Sequence, residues 1–128
     1  LVEIAIVPEV GAEIVAGSTR LKAGTSQKLV LNMLTTAAMI GLGRVYDGYM
    51  VGVQPINRKL VDRAKRIIMA LTGVELEKAE SLLSSAEGDV RVAIILAKTG
   101  LSLEEARHLL DEARGSLRQA LKAARCSL

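Results

Sequence analysis

One polar loop carries most of the residues in this sequence that could bind a charged ligand. Residues 11–25 combine glycines with hydroxyl and cationic side chains, and they lie between an apolar run at residues 4–7 and a long apolar stretch after Thr25. Backbone N–H groups in such a loop and at a helix N-terminus attract anions, because the helix dipole places partial positive charge there. Arg20, Lys22 and Lys28 add formal charge. The loop therefore predicts an anion site, with an ordinary polar surface turn as the open alternative.

The composition limits the classes of function. Of 128 residues, 50% are apolar, and because there is no Phe or Trp the core must be aliphatic. The net charge of +3 is mild, the basic and acidic residues are interleaved, and two Tyr are the only aromatic residues, which argues against nucleic-acid binding. One cysteine and one histidine argue against an internal disulfide and a structural metal site.

The same features predict the setting of the protein. No apolar run reaches the length of about 18 residues that a membrane span needs. Cys126 as the single cysteine suits a reducing compartment, so we expect a cytoplasmic protein without membrane contact. The sequence begins with a strand-like run and no initiator Met, and we expect it to be a fragment of a longer protein.

Two apolar elements must position the loop. Val2–Val7 is rich in β-branched residues and ends at Pro8, which predicts a buried parallel strand. From Thr25 to about Gly43, apolar residues cover more than one helical face. This pattern predicts a helix buried against a sheet or a partner subunit, with Thr25 or Ser26 as its N-cap.

The remaining chain is predicted to be helical after a short irregular segment. Residues 44–56 contain a turn signal at Asp47-Gly48, and the composition changes near residue 56, where we place a domain boundary. Asn57 is then predicted to cap a helix that Gly73 ends. Its apolar stripe has the 3.6-residue period, and its opposite face, the most basic surface of the sequence, is interpreted as solvated.

An internal repeat follows this helix. Residues 75–94 and 102–121 both show the order helix, glycine stop, Asp or Ser cap, second helix. Ser102 and Glu105 have the spacing of a capping box. His108 lies beside an apolar pair, but its counterpart in the first copy is a surface-type serine, so we interpret it as exposed and not as a catalytic base.

The loop and two later stretches together resemble a family signature. Residues 11–25, with Gly17-Ser18-Thr19-Arg20-Leu21-Lys22-Ala23-Gly24-Thr25 at their centre, resemble the signature shared by glucokinase regulatory proteins and bacterial N-acetylmuramic acid 6-phosphate etherases. Residues 27–36, residues 51–60 and the C-terminal repeat continue the etherase-like pattern. The resemblance covers essentially the whole chain.

The resemblance implies a mainly α fold in two parts. Residues 1–56 would be the C-terminal piece of an α/β sugar isomerase (SIS) domain, a flavodoxin-like parallel sheet flanked by helices that binds phosphosugars at its strand ends. Residues 57–128, with their repeat, would form a small all-α domain. Their pattern is similar to ubiquitin-associated (UBA-like) folds, without implying ubiquitin binding.

The resemblance also implies an activity for the whole protein. Such lyases cleave the ether between D-lactate and the sugar of N-acetylmuramic acid 6-phosphate, in cell wall recycling, and give N-acetylglucosamine 6-phosphate and D-lactate. The reaction is an elimination followed by water addition, served by carboxylates, with no metal or organic cofactor. The family's catalytic glutamates lie earlier in the SIS domain, so we expect no catalytic residue here and an inactive fragment. A phosphosugar substrate and a homodimer are the partners implied.

The site residues that the resemblance implies are polar residues of the loop and the helix start: Glu13, Ser18, Thr19, Arg20, Lys22 and Thr25. Ser18, Thr19 and the helix N-terminus at Thr25 are the expected ligand contacts. Arg20 and Lys22 either contact the ligand or bridge a dimer partner. Glu13 has two open roles. It either contacts the sugar or transfers a proton, or it stabilises the loop by pairing with Arg20 or Lys22.

Two other classes of function stay open. In a sugar-phosphate-sensing regulatory protein, the same loop would bind its ligand without turnover. In a helical interaction module, residues 57–128 would dock onto a partner or another subunit. Catalytic carboxylates upstream would separate the lyase from the sensor, and the oligomeric state of residues 57–128 alone would test the module.

Overall fold

The computed structural model describes residues 3–127, and the side chains of residues 3–126. This part of the chain is mainly helical, with one short hairpin after the first helix. The elements are α1 (Lys22–Gly41), β1 (Val45–Tyr46), β2 (Tyr49–Met50), α2 (Arg58–Thr72), α3 (Leu76–Ser85), α4 (Val90–Thr99), α5 (Leu103–Glu112) and α6 (Leu117–Ser127). The described chain consists of two compact units, one up to Ala38 and one from Met39 onward. The second unit therefore includes residues 44–56 together with the later helices.

The strand predicted at Val2–Val7 is wrong for its described residues, and Val2 lies outside them. Residues 3–21 contain no strand. Ile4 is 81% exposed, and Val7 is similarly open to solvent. A strand exists only through hydrogen bonds to a neighbouring strand, and none of the described residues of the first unit supplies one.

Helix α1 is present, but the prediction of its N-cap is wrong. It begins at Lys22, so Thr25 and Ser26 lie inside the first turns and do not form its N-cap. None of its residues is buried, although apolar side chains occur on more than one face. A helix of this kind needs cover on several sides, and no second helix or strand occurs among the described residues up to Ala38. Its burial against a sheet or a partner subunit therefore stays a prediction.

The segment after α1 forms a hairpin that was not predicted. β1 and β2 pair antiparallel, with Val45 opposite Met50 and Tyr46 opposite Tyr49. The predicted turn is confirmed, because Asp47 (φ 48°) and Gly48 (φ 78°) connect the strands. Two central residues with positive φ form the turn type that matches the twist of paired strands. Strands of two residues are too short to give a period-2 pattern, so the sequence did not reveal them.

Helix α2 begins and ends where its caps predict. The Asn57 Oδ1 atom accepts a hydrogen bond from the Leu60 backbone N–H at 3.0 Å, and Gly73 ends the helix with φ 76°. Ala64, Ile67, Ile68 and Leu71 are buried along its apolar stripe. Its opposite face is exposed, as expected, except for Lys65, which is partly buried and contacts Glu80.

The two sequence repeats each form a helix pair with the same connecting turn. In the α3–α4 pair, Gly88 (φ 87°) donates its N–H to the Leu83 carbonyl at 2.9 Å; in the α5–α6 pair, Gly115 (φ 78°) donates to Leu110 at 2.8 Å. The residue before each glycine also has positive φ. The predicted capping box at the start of α5 is confirmed. Both turns thus end one helix and lead into the next with the same hydrogen bond and the same pair of positive φ angles.

One aliphatic core joins these helices and the hairpin segment. Its largest fully buried side chains are Ile68, Ile94, Ile95, Leu117, Val51 and Val90. Val51 comes directly after β2, so the hairpin is anchored in the helical core. The Arg118 guanidinium lies 5.4 Å from the centre of the Tyr46 ring, a cation–π contact that attaches the hairpin to α6.

Candidate functional site

A carboxylate closes the predicted anion loop. Glu13 Oε2 accepts a hydrogen bond from the Lys22 backbone N–H at 2.9 Å, and Glu13 Oε1 accepts one from Ala23 N–H at 3.0 Å. These N–H groups belong to the first turn of α1, where no intrahelical acceptor exists for them. Glu13 therefore caps α1 from outside the helix and encloses residues 14–21 as a loop.

Within this loop, turns replace a regular structure. The Ser18 N–H donates to the Val15 carbonyl at 3.0 Å, and the Leu21 N–H donates to the Ser18 carbonyl at 3.1 Å. Gly17 lies between them with φ 79°, a left-handed conformation that glycine adopts without strain. The Thr19 carbonyl accepts the Gly24 N–H at 2.8 Å, which connects the loop to the first turn of α1.

The charge at the helix start follows from these contacts. Hydrogen bonds from the backbone N–H groups of Ala23 and Lys22, with a smaller contribution from the Lys22 charge, hold the pKa of the Glu13 carboxyl below its ordinary value. Glu13 is therefore ionised at neutral pH. The Lys22 Nζ atom donates to the Ala12 carbonyl at 2.7 Å, which places a cation on the same side of the loop.

A recess of about 490 Å³ lies beside this loop, within the first unit. Thr19 lines it together with residues at the start of α1, and Ile6 and Pro8 of the N-terminal segment also line it. The α1 side consists of Ala23, Gly24, Ser26, Gln27, Val30 and Leu31. Hydroxyl and amide groups face a partly apolar space large enough for a small ligand.

Some of the predicted contact residues lie at the helix start or the recess in the structure, and others do not. Glu13 and Lys22 lie together at the helix start, and Thr19 reaches the recess. Ser18 contributes its backbone to the adjoining turns. Arg20 and Thr25 are exposed and do not line the recess. Of the two roles considered for Glu13, the loop-stabilising one is present, with the Lys22 backbone and not the Lys22 ammonium as the partner.

Ser26 and Gln27 are recess residues that the sequence reasoning did not select. Ala23, Ser26, Gln27 and Val30 are separated by three, four and seven residues, the spacing of one helical face. Because the helix was predicted to begin at Thr25, that residue was treated as a terminal group. A start at Lys22 would have brought Ser26 and Gln27 onto the loop-facing side.

Other chemistry in the described residues is limited. No group of three or more His, Cys, Asp or Glu side chains among residues 3–127 could hold a metal ion. Across the same residues no helix has the length and hydropathy that a membrane crossing requires. The His108 side chain is 75% exposed and lies 3.6 Å from a Glu112 carboxylate oxygen, in agreement with the predicted surface position.

Comparison with known proteins indicates the class of protein to which this chain is similar. The chain is similar to bacterial enzymes that are named etherases, at 53 to 60% identity in four of them. In each of these the full name is N-acetylmuramic acid 6-phosphate etherase, so the resemblance deduced from residues 11–25 is confirmed. No protein-family model matches the chain.

Three relatives illustrate the extent of the match. The etherase of Oceanobacillus iheyensis is 56% identical over 94 residues, which are 73% of this chain and 32% of the relative. That of Alkaliphilus metalliredigens is 60% identical over 92 residues, 72% of the chain and 30% of the relative, and that of Bacillus cytotoxicus is 54% identical over 94 residues. The chain thus matches about a third of the length of these curated relatives.

Proposed function

We propose that this chain contributes one wall of the phosphosugar site of an N-acetylmuramic acid 6-phosphate etherase. The whole protein would release D-lactate and N-acetylglucosamine 6-phosphate from its substrate by elimination and water addition. The observation that carries the proposal is the identity of 53 to 60% to etherases over most of the chain. The catalytic carboxylates would come from residues outside this chain.

The phosphate group would bind at the loop between Glu13 and α1. Ser18 and Thr19 offer hydroxyl donors, and Arg20 and Lys22 offer positive charge close to the helix start. The first four N–H groups of α1 already have acceptors, so this attraction would rest on the hydroxyl and cationic side chains. Glu13 accepts two of them, and the carbonyls of Thr19 and Leu21 accept the N–H groups of Gly24 and Thr25. Ser26 and Gln27, which line the adjacent recess, would contact the sugar.

Glu13 is assigned a positioning role in this proposal. Its lowered pKa and its two backbone partners suit a carboxylate that stays ionised and fixes the loop. A general acid would need the opposite, a pKa raised toward neutrality. Proton transfer in the etherase reaction therefore belongs to other carboxylates.

The finer features of the proposal concern the whole protein. Residues 1–56 would complete a SIS domain and residues 57–128 would form a UBA-like helical domain, in a cytoplasmic homodimer. The mainly helical structure supports the all-α part of this arrangement. The exposed apolar faces of α1 would then be covered by the rest of the SIS domain or by the second subunit.

A chimeric enzyme tests the proposed function. The aligned residues of the Oceanobacillus iheyensis etherase are replaced by those of this chain, and D-lactate release from N-acetylmuramic acid 6-phosphate is measured in a coupled assay. We expect activity within about tenfold of the parent enzyme, because a binding wall that differs mildly costs about 1 kcal/mol of transition-state stabilisation. A folded chimera without lactate release would refute the proposal.

The loop assignment is tested in the same chimera. Ser18→Ala should raise KM about tenfold, the cost of losing one hydrogen bond to a charged group. Thr35→Ala is the matched control, since the Thr35 hydroxyl donates only to carbonyls of its own helix, Leu31 at 2.8 Å and Asn32 at 3.3 Å. Equal kinetics of the two variants would show that Ser18 does not bind the substrate.

A further inference from the structure

Four exposed cations on α2 have no ion-pair partner among the described residues. They are Arg58, Lys59, Arg63 and Arg66, and the ion pairs of residues 3–127 involve other side chains. Lys65, on the same helix, behaves differently. Its ammonium contacts the Glu80 carboxylate at 2.7 Å, and the side chain is only 16% exposed.

The four unpaired cations and one acidic residue form a continuous surface, which we name the α2 basic face: Arg58, Lys59, Asp62, Arg63 and Arg66. These residues line one shallow depression. Lys59, Arg63 and Arg66 follow at intervals of four and three residues, so they share one side of the helix. Residues 58 to 66 extend about 12 Å along the axis. Like charges at this spacing repel one another, and Asp62, three or four residues from Arg58, Lys59 and Arg66, offsets part of that repulsion.

An open recess of about 510 Å³ adjoins this face, between the hairpin and α2. Arg63 and Arg66 line both the recess and the α2 basic face, so the two are continuous. Buried Ile67 provides an apolar base, and Tyr49, 42% exposed, Met50 and Ala70 provide the sides. We name this the hairpin recess.

We propose that the α2 basic face and the hairpin recess bind an acidic polypeptide segment that carries an apolar side chain. The carboxylates of the segment would pair with Arg58, Lys59, Arg63 and Arg66. An aliphatic or aromatic side chain would enter the hairpin recess, where arginine and aromatic residues commonly anchor a partner. This surface shares no residue with the loop at residues 11–25, and the proposal does not depend on the etherase activity.

Two observations favour a polypeptide over a nucleic acid. Asp62 lies within the cationic surface, and its carboxylate can accept a backbone N–H of a peptide, a donor that a phosphodiester chain lacks. Aromatic stacking platforms are also lacking, because Tyr46 already contacts Arg118 and only Tyr49 is left. Sequence-independent binding to phosphates needs a longer cationic track.

Fluorescence anisotropy with a labelled peptide of repeated Glu-Glu-Leu units tests the proposal on the full 128-residue chain. We expect saturable binding at about 50 mM salt that weakens as salt increases. Arg63→Glu combined with Arg66→Glu should weaken binding at least about tenfold. The matched control is Lys98→Glu with Lys122→Glu, the same charge change at exposed cations of α4 and α6, which should alter binding less than about twofold.

The competing outcomes would each overturn the proposal. Equal loss in both double variants would mean that only net charge matters. Equal binding of a Glu-only peptide would mean that the hairpin recess takes no part. Tighter binding of an oligothymidylate, or of vesicles with anionic lipid, would assign the face to phosphates. Loss of self-association in the Arg63→Glu, Arg66→Glu variant would assign it to a second copy of the chain. Circular dichroism of each variant verifies the fold.

Discussion

At the scale of single residues, Glu13 has the clearest structural role in the candidate site. Replacement of Glu13 by Ala removes the acceptor for the Lys22 and Ala23 N–H groups. We expect their amide hydrogen exchange to lose its protection, measured by NMR, while Glu13→Gln keeps part of it through the amide oxygen. Glu9→Ala is the control, because Glu9 is exposed and makes no such bond. Unchanged exchange in Glu13→Ala would show that the clamp does not form.

The same clamp predicts a dependence on pH. Since the pKa of Glu13 is lowered in the folded state, ionised Glu13 stabilises the loop above its ordinary pKa, and this stabilisation is lost as the pH falls through the lowered value. Exchange rates of Lys22 and Ala23, corrected for intrinsic pH effects, should therefore rise below about pH 4. Rates that stay flat down to pH 2 would contradict an ionised clamp.

Asp89 is a helix-capping carboxylate in the unit from Met39 onward, as Glu13 is at the start of α1. Burial alone would raise its pKa, but hydrogen bonds and charge from Arg91, with the backbone N–H groups of Arg91 and Val92, lower it overall. The Arg91 guanidinium also donates to Gly115, in the other repeat, at 3.3 Å. Asp89 thus caps α4 and holds the cation that connects the two turns.

Asp89→Ala should lower the free energy of unfolding by about 2 kcal/mol at pH 7. The matched variant is Ser116→Ala, at the equivalent position of the second repeat, where the hydroxyl accepts the Gln119 N–H at 3.4 Å. It should cost about 0.5 kcal/mol. Thermal unfolding followed by circular dichroism measures both. The Asp89 difference should shrink as the pH falls below the ordinary pKa of an aspartate, about 3.9, because protonation removes the ionised cap of the wild type.

At the scale of elements, local rules predicted more than packing rules did. Asn57, Gly73 and the Ser102–Glu105 capping box were identified because a cap depends on neighbours within four residues. The start of α1 was misplaced because its cap is Glu13, nine positions before Lys22. No local pattern reveals such an acceptor. The strand at residues 3–7 failed for the same reason, since a strand needs a partner that its own residues do not specify.

Val51 is the fully buried residue through which the hairpin segment packs into the helical core. This side chain is fully buried, whereas Ile56, a few residues later, is 80% exposed. Val51→Ala should cost about 2 kcal/mol through lost burial and the cavity that it leaves, and Ile56→Ala should cost less than about 0.5 kcal/mol. Urea unfolding of both variants measures these costs. Similar values for the two would mean that the hairpin does not pack on the helices.

At the scale of the whole molecule, the two units differ in how much of their structure the sequence predicts. The unit from Met39 onward, which contains the helix repeat, is more predictable than the unit up to Ala38, which contains the loop. The repeat at residues 75–94 and 102–121 buries matched positions, such as Ala79 with Ala106 and Val90 with Leu117, so one folded pair predicts the other. The loop at residues 11–25 has no second copy in the sequence from which its structure could be predicted. Its glycines and hydroxyls indicated an anion site, but the recess with Ser26 and Gln27 depends on where α1 begins.

The exposed apolar side chains of α1 predict self-association of the chain. Leu29, Met33 and Leu34 are each more than half exposed, and water contact with such surface is unfavourable by about 25 cal/mol per Å². Sedimentation velocity should show larger species as concentration increases, and Met33→Glu with Leu34→Glu should reduce them. Leu76→Glu is the control, because Leu76 is a similarly exposed apolar residue on α3. A monomer at every concentration would contradict the prediction, and equal effects of α1 and α3 substitutions would show that α1 is not the contact. Association through α1 would also identify the surface that the homodimer of the proposed etherase uses or buries.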